Sequence, residues 1–236
     1  MYWISIFLGL LAILVILYFA VPGLILDWAY QAARWRAGLK RKELLVAKHN
    51  VSYLEGGKGQ PLVLIHGFGA NKDHWTMVSS SLTKRFHVFA FDLPGFGESS
   101  RLETETYSVA DQLSRILAIT DSLGLEYFHL GGNSMGGYLS ALFANMHPDK
   151  VASLWLLAPA GIETAKPSEV LEMIERGDNP LITESLEDFD RLGQLCFSPL
   201  PRVPEQFKKP LLEQARRDGP FNEKIFEEML WGACGV

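Results

Sequence analysis

The hydrophobic and polar positions divide the chain into three zones. In the first, residues 1–26 carry no charged side chain, and Asp27 is the first charged residue. Trp3 to Val21 gives 19 mostly apolar residues ahead of Pro22. At roughly 1.5 Å per residue that is about 28 Å of helix, the thickness of a hydrocarbon core. Tyr2 and Trp3 before it, and Trp28, Tyr30 and Trp35 after it, stand where aromatic belts mark the two interfaces. The pattern predicts a transmembrane anchor over 1–26. A cleaved signal peptide would need a basic start and a small-residue cleavage site. No Lys or Arg precedes Arg34, and Tyr18-Phe19-Ala20-Val21 makes a poor site. Trp28, Ala32, Trp35 and Leu39 then recur at helical spacing among Arg34, Arg36, Lys40, Arg41 and Lys42. This predicts a basic juxtamembrane helix over 27–42, laid along lipid headgroups or packed on the domain itself. By the positive-inside rule the protein is single-pass with its globular part on the cytoplasmic side, at the inner membrane if the source is bacterial.

The second zone, 43–161, alternates strand and helix patterns. Leu44–His49 and Val51–Glu55 read as a hairpin, and Pro61–Ile65 as a continuous apolar strand buried on both faces. Asn71 caps a helix running through Trp75, Val78 and Leu82, and Phe86–Phe91 is the next strand. Ser108 with Asp111 three residues on opens a helix from Val109 to Leu123 that Gly124 ends. A strand at Tyr127–Leu130, an apolar helix closed by Pro148, and a sixth strand at Ala152–Leu157 complete the zone. Such alternation predicts an α/β fold with a mostly parallel sheet and helices on both faces.

The third zone, 162–236, holds four short amphipathic helix patterns: Val170–Ile174, Leu186–Phe197, Phe207–Ala215 and Ile225–Trp231. They read as a helical cap. Its apolar positions Leu171, Met173, Phe189, Leu192, Phe207 and Leu211 suit either an acyl chain or ordinary core packing.

Composition narrows the partners. The formal net charge of −5 provides no basic footprint for nucleic acid. Two cysteines, Cys196 and Cys234, lie far apart without metal spacing, so neither a disulfide framework nor a metal site is expected. No cofactor is expected: Gly95-Phe96-Gly97 lacks the third glycine and the helix of a dinucleotide site.

The chemistry concentrates in Gly132-Asn133-Ser134-Met135-Gly136, a G-x-S-x-G sequence between a strand and a helix. A serine on so sharp a turn projects its hydroxyl clear of the backbone. Gly132 and Gly136 remove the Cβ atoms that would clash as strand and helix pass. Together, HGFGA at 66–70, DLPGFGES at 92–99 and GNSMGG at 132–137 resemble the α/β-hydrolase superfamily from about Glu43 onward. With the N-terminal apolar segment, they look like the membrane-anchored monoacylglycerol lipases and related bacterial lipases. The resemblance implies Ser134 as nucleophile and the backbone N–H groups of Phe68 and Met135 as oxyanion donors. It implies His66 and Gly67 as supports of the oxyanion loop, and Asp92 as a structural residue and not the catalytic acid.

In that family the acid and then the histidine follow the nucleophile along the chain. Of the six histidines, His49, His66, His74, His87 and His129 precede Ser134. His147 follows by 13 residues, roughly 20 Å along a helix at ~1.5 Å per residue. Glu163 could stand as an acid but has no histidine to orient. The expectation is therefore a fold incomplete at its C-terminus, ending inside the cap before the last core strands. Two readings stay open: a fragment of a membrane-anchored serine hydrolase of lipid or other small esters, or a non-catalytic membrane-bound remnant used as an interaction module.

Overall fold

The computed structural model describes residues 2–162, 166, 168–200 and 202–233, with the side chains of 12–16 and 230–233 excepted. Its centre is a sheet of six strands: β1 (Leu39–Val46), β2 (His49–Gly57), β3 (Gln60–Ile65), β4 (Phe86–Phe91), β5 (Phe128–Asn133) and β6 (Val151–Leu157). They lie in the order β1-β2-β4-β3-β5-β6. β1 and β2 form an antiparallel hairpin and β2 runs antiparallel to β4, while β4, β3, β5 and β6 are mutually parallel.

Alternation along β3 shows why this sheet needs two covers. Val63 and Ile65 enter one apolar cluster, with Leu113, Ile116, Leu139 and Phe143. Leu62 and Leu64 point the other way into a second, with Ala37, Leu54, Trp75 and Val88. All four strand residues are nearly or fully buried, so an unbroken apolar run is what a doubly covered parallel strand requires. The first face is covered by α4 (Val109–Ser122) and α5 (Met135–Met146). The second is covered by a 3₁₀ turn at Lys72–Trp75 and the α3 helix (Thr76–Leu82) that follows it. The start signals hold as expected. Asn71 accepts the N–H of Asp73, and Ser108 and Asp111 form a reciprocal capping box at α4. Gly124, at φ 68°, ends α4.

The N-terminus departs from expectation. The described part of this segment is divided between α1 (Tyr2–Ala20) and α2 (Pro22–Arg36), with Pro22 in the first turn of the second helix. Among the described residues no helix is long and apolar enough to cross a membrane, so the predicted transmembrane anchor is not found. The predicted basic helix over 27–42 is also cut short, because β1 begins at Leu39. Three of its five cations are paired on the domain. Arg34 pairs with Asp73 and Glu98, Arg41 with Glu43 and Glu98, and Lys42 with Glu55. The charge bias behind the expected cytoplasmic orientation is thus partly neutralised within the fold.

The cap region forms α6 (Glu169–Glu175), α7 (Leu186–Cys196) and α8 (Glu205–Ala233). The two patterns expected around Gly219-Pro220 are one 29-residue helix containing Pro210 and Pro220. Tertiary packing outweighs the missing N–H at those prolines: Leu212, Phe221 and Ile225 of α8 are buried. At the far side, the sheet ends on β6, where Leu154 and Trp155 are 39% and 37% exposed.

Candidate active site

Ser134 links β5 to α5 with φ 51° and ψ −118°. This region is sparsely populated by residues that carry a Cβ, and holding one there costs on the order of 1–3 kcal/mol. The surroundings impose it. The Ser134 N–H donates to Leu157 O at 3.0 Å, and its carbonyl accepts from Tyr138 N (3.0 Å) and Ala160 N (3.1 Å). Asn133 Nδ2 donates to Leu157 O at 3.1 Å, tying the turn to the end of β6. Room for the turn exists only because of glycine. A Cβ on Gly132 would stand 2.1 Å from Gly136 O, and one on Gly136 would stand 2.3 Å from Ile65 O.

The 66–70 loop lies against this turn. A Cβ on Gly67 would be 3.0 Å from Asn133 Oδ1 and 3.4 Å from the Ser134 Cβ. Phe68 follows directly, its ring edge-on to Phe96 and Phe226 at 5.5 Å each. Met135, 6% exposed, is the first residue of α5, whose first-turn N–H groups have no acceptor within the helix. Gly67 thus lies against the turn at Ser134, with Phe68 and Met135 the next residues along their segments.

His66 is a strut. It is 1% exposed. Its Nε2 accepts the N–H of Leu93 at 3.1 Å, which leaves Nδ1–H to donate to Gly67 O at 2.7 Å. Both ring nitrogens are occupied, and burial lowers its pKa below the ordinary histidine value. His66 thus pins the 66–70 loop to the 92–99 loop in the neutral state.

Asp92, with no exposure, is equally structural. Its carboxylate accepts Lys72 N (2.6 Å), Lys72 Nζ (2.8 Å) and Glu98 N (2.8 Å). Gly97, at φ 53°, clears it: a Cβ there would stand 2.4 Å from the carboxylate. Sequence reading missed the rest of this cluster. Lys72, fully buried, also lies 3.2 Å from Glu98 and 3.6 Å from Asp73. Arg34 reaches Asp73 through two bonds of 2.6 and 2.7 Å. Burial pushes the Glu98 carboxyl up, but Arg41 and Lys72 outweigh it and hold it at about 2. Three cations, Arg34, Arg41 and Lys72, thus meet three carboxylates beneath the loop. Only the helical placement of Arg34 and the Lys72-Asp73 pair hinted at this.

No histidine ring is hydrogen-bonded to Ser134 among the described residues. His49 meets Ser100, His87 meets Glu55, and His129 lies between Gln60 and Ser153. His74 sits in the 3₁₀ turn, its pKa lowered by burial. His147 caps the far end of α5 against Phe143. Glu163 lies outside the described residues. Of the expected cap lining, Phe207 faces Tyr18 of α1 at 5.5 Å and Leu171 is 43% exposed. Phe226 of α8 reaches the 66–70 loop at Phe68.

The comparisons agree with this geometry. Lipase 1 of Psychrobacter immobilis is 35% identical over 204 residues, 85% of this chain and 64% of that protein. Monoacylglycerol lipase ABHD6 of Homo sapiens is 28% identical over 210 residues, 83% of this chain and 62% of its own length. The chain thus spans somewhat less than two thirds of these relatives. The crystal structure of a membrane phospholipase A, described as a novel bacterial virulence factor, superposes with a TM-score of 0.85 at 41% identity. That match covers 96% of this chain and 74% of the other. The alpha/beta hydrolase fold family itself matches residues 60–181. With the strained serine, its glycine-lined turn and the adjoining loop in place, the chain belongs to the alpha/beta hydrolase fold family.

Proposed function

We propose that this chain is the nucleophile-bearing part of a membrane-associated serine hydrolase of lipid esters of the monoacylglycerol type. The observation that carries the proposal is Ser134 at φ 51°, ψ −118° on the strand-to-helix turn, beside the 66–70 loop. In this reading the Ser134 hydroxyl attacks the ester carbonyl, and the N–H groups of Phe68 and Met135 receive the oxyanion. A histidine supplied from outside residues 1–236 takes the serine proton, and water then releases the fatty acid. The lipases and monoacylglycerol lipases among its relatives support the substrate class.

Membrane association is proposed through α1. Ile4, Ile6, Phe7, Leu8, Leu10 and Leu11 are between 47% and 65% exposed, with Tyr2 and Trp3 above 80%. An apolar surface of that extent on one helix calls for lipid or a partner.

That no histidine ring is hydrogen-bonded to Ser134 among the described residues favours a second reading, in which the chain alone is a non-catalytic module. Loss of the histidine in a serine hydrolase costs on the order of 10⁶ in turnover. A fluorophosphonate probe, applied with the histidine-supplying segment present, separates the two. Labelling that disappears in Ser134→Ala supports the nucleophile. Absence of labelling with that segment present leaves the module reading standing and removes the proposed chemistry.

A further inference from the structure

One face of α8 closes over the oxyanion loop. Asn222 and Phe226 are four residues apart and so share that face. Phe226 meets the Phe68 ring. Asn222, one turn earlier, is 8% exposed, and its Nδ2 lies 3.9 Å from where a Cβ on Gly69 would stand. The Asn222 Oδ1 is shut off from solvent and has no hydrogen-bond partner among the described residues. Buried amide oxygens in this condition are rare, because stranding one sacrifices its hydration for nothing.

The helix that carries the amide is pinned on both sides of it. Phe221 beside it packs on Tyr107 at 5.1 Å, and Ile225 is fully buried. The Glu228 carboxylate accepts the Tyr107 N–H, and Lys224 Nζ donates to Glu103 O at 2.8 Å. On the other side, Gly69 is exposed and carries no side chain to fill the space. Another orphan oxygen, Gln112 Oε1, belongs to an amide already tied by its nitrogen to Pro94 O and lies within the core. Asn222 differs in that its amide, through Nδ2, borders the loop that the ester reading makes the oxyanion hole.

We propose that Asn222 is a specificity-determining residue whose carboxamide hydrogen-bonds a free hydroxyl on the alcohol portion of the ester. This rests on the ester-hydrolase reading above. A hydroxyl is the partner that both donates and accepts, so it satisfies the amide whichever way its oxygen and nitrogen are turned. An alkoxy group only accepts and cannot satisfy an orphan carbonyl. A charged headgroup would have to be desolvated beside a neutral amide, at a cost the amide could not offset. Esters of a polyol such as glycerol are thereby told apart from esters of simple alkanols.

The test uses the full chain in detergent and two uncleavable probes of one chain length, 1-O-octylglycerol and octyl methyl ether, titrated by calorimetry. The parent protein is expected to bind the glycerol ether about five- to tenfold more tightly, the span of one neutral hydrogen bond. Asn222→Ala is expected to bring the ratio to about one, with the weaker ether unaffected and the melting temperature unchanged or raised. Equal binding of both ethers by the parent, or an undiminished ratio in the variant, overturns the role of Asn222 alone. A variant that melts well below the parent reveals an internal partner for the amide and overturns it too. Failure of both ethers to bind overturns the ester-hydrolase reading itself.

Discussion

At residue scale the turn at Ser134 is held by absences. Gly132 and Gly136 each leave a Cβ-sized gap against backbone atoms that cannot retreat. Gly132→Ala is expected to cost about 3 kcal/mol or more, roughly the upper end for overpacking, because the obstructing atom is a carbonyl and not a flexible side chain. Urea melts of the variant check this. Protonation gives a second test. His66 and His74 have pKa values lowered by burial, so the unfolded chain takes up their protons more readily than the folded one. The stability they contribute is present above the unfolded value near ~6.5 and falls as pH drops through it. Melting temperature is therefore expected to decline from pH 7 to 5. A profile flat over that window contradicts the neutral strut assigned to His66. Glu98, held at about 2, adds a further loss only below its unfolded value near 4.5.

At the scale of elements, parts with a local cause were legible in the sequence. The capping box at Ser108 and Asp111, the Gly124 stop and the apolar run of β3 each act within a few residues, and each landed where expected. The elbow was legible for the same reason, since Gly-x-Ser-x-Gly encodes its own geometry. What stayed hidden depends on distant partners. Nothing beside Lys72 in the chain announces Asp92 or Glu98, and nothing near Gly219-Pro220 announces that Phe221 and Ile225 bury themselves on Tyr107 and Gly95 strongly enough to carry a helix through. The Arg34–Asp73–Lys72–Asp92 linkage makes the clearest prediction at this scale. Lys72→Ala strands buried Asp92 without its cation and is expected to destabilise by about 3–5 kcal/mol. Lys72→Met with Asp92→Asn is expected to recover part of that loss, since a neutral pair leaves no uncompensated charge. Chemical denaturation of both variants decides it.

On the scale of the whole molecule, the apolar exposure is lopsided. Its longest run lies on α1, while elsewhere single side chains such as Trp28, Trp35, Leu45 and Met77 are exposed, and Leu154 and Trp155 are partly so at the β6 edge of the sheet. Deleting residues 1–20 is expected to abolish flotation with phosphatidylcholine vesicles and to leave the far-ultraviolet signature of the sheet in place. The deletion removes the Tyr18–Phe207 contact but none of the clustered core. Retained flotation would move the lipid contact elsewhere on the surface.

The two bonds from Arg34 to Asp73 have a mechanical meaning as well. They join the second N-terminal helix to the turn that leads into Lys72 and Asp92, and Asp92 borders the segment braced by His66. Whatever grips the second helix is therefore tied through these bonds to the loops that border Ser134. Cutting that joint with Arg34→Ala would leave each half folded while freeing the angle at which the serine meets its surroundings.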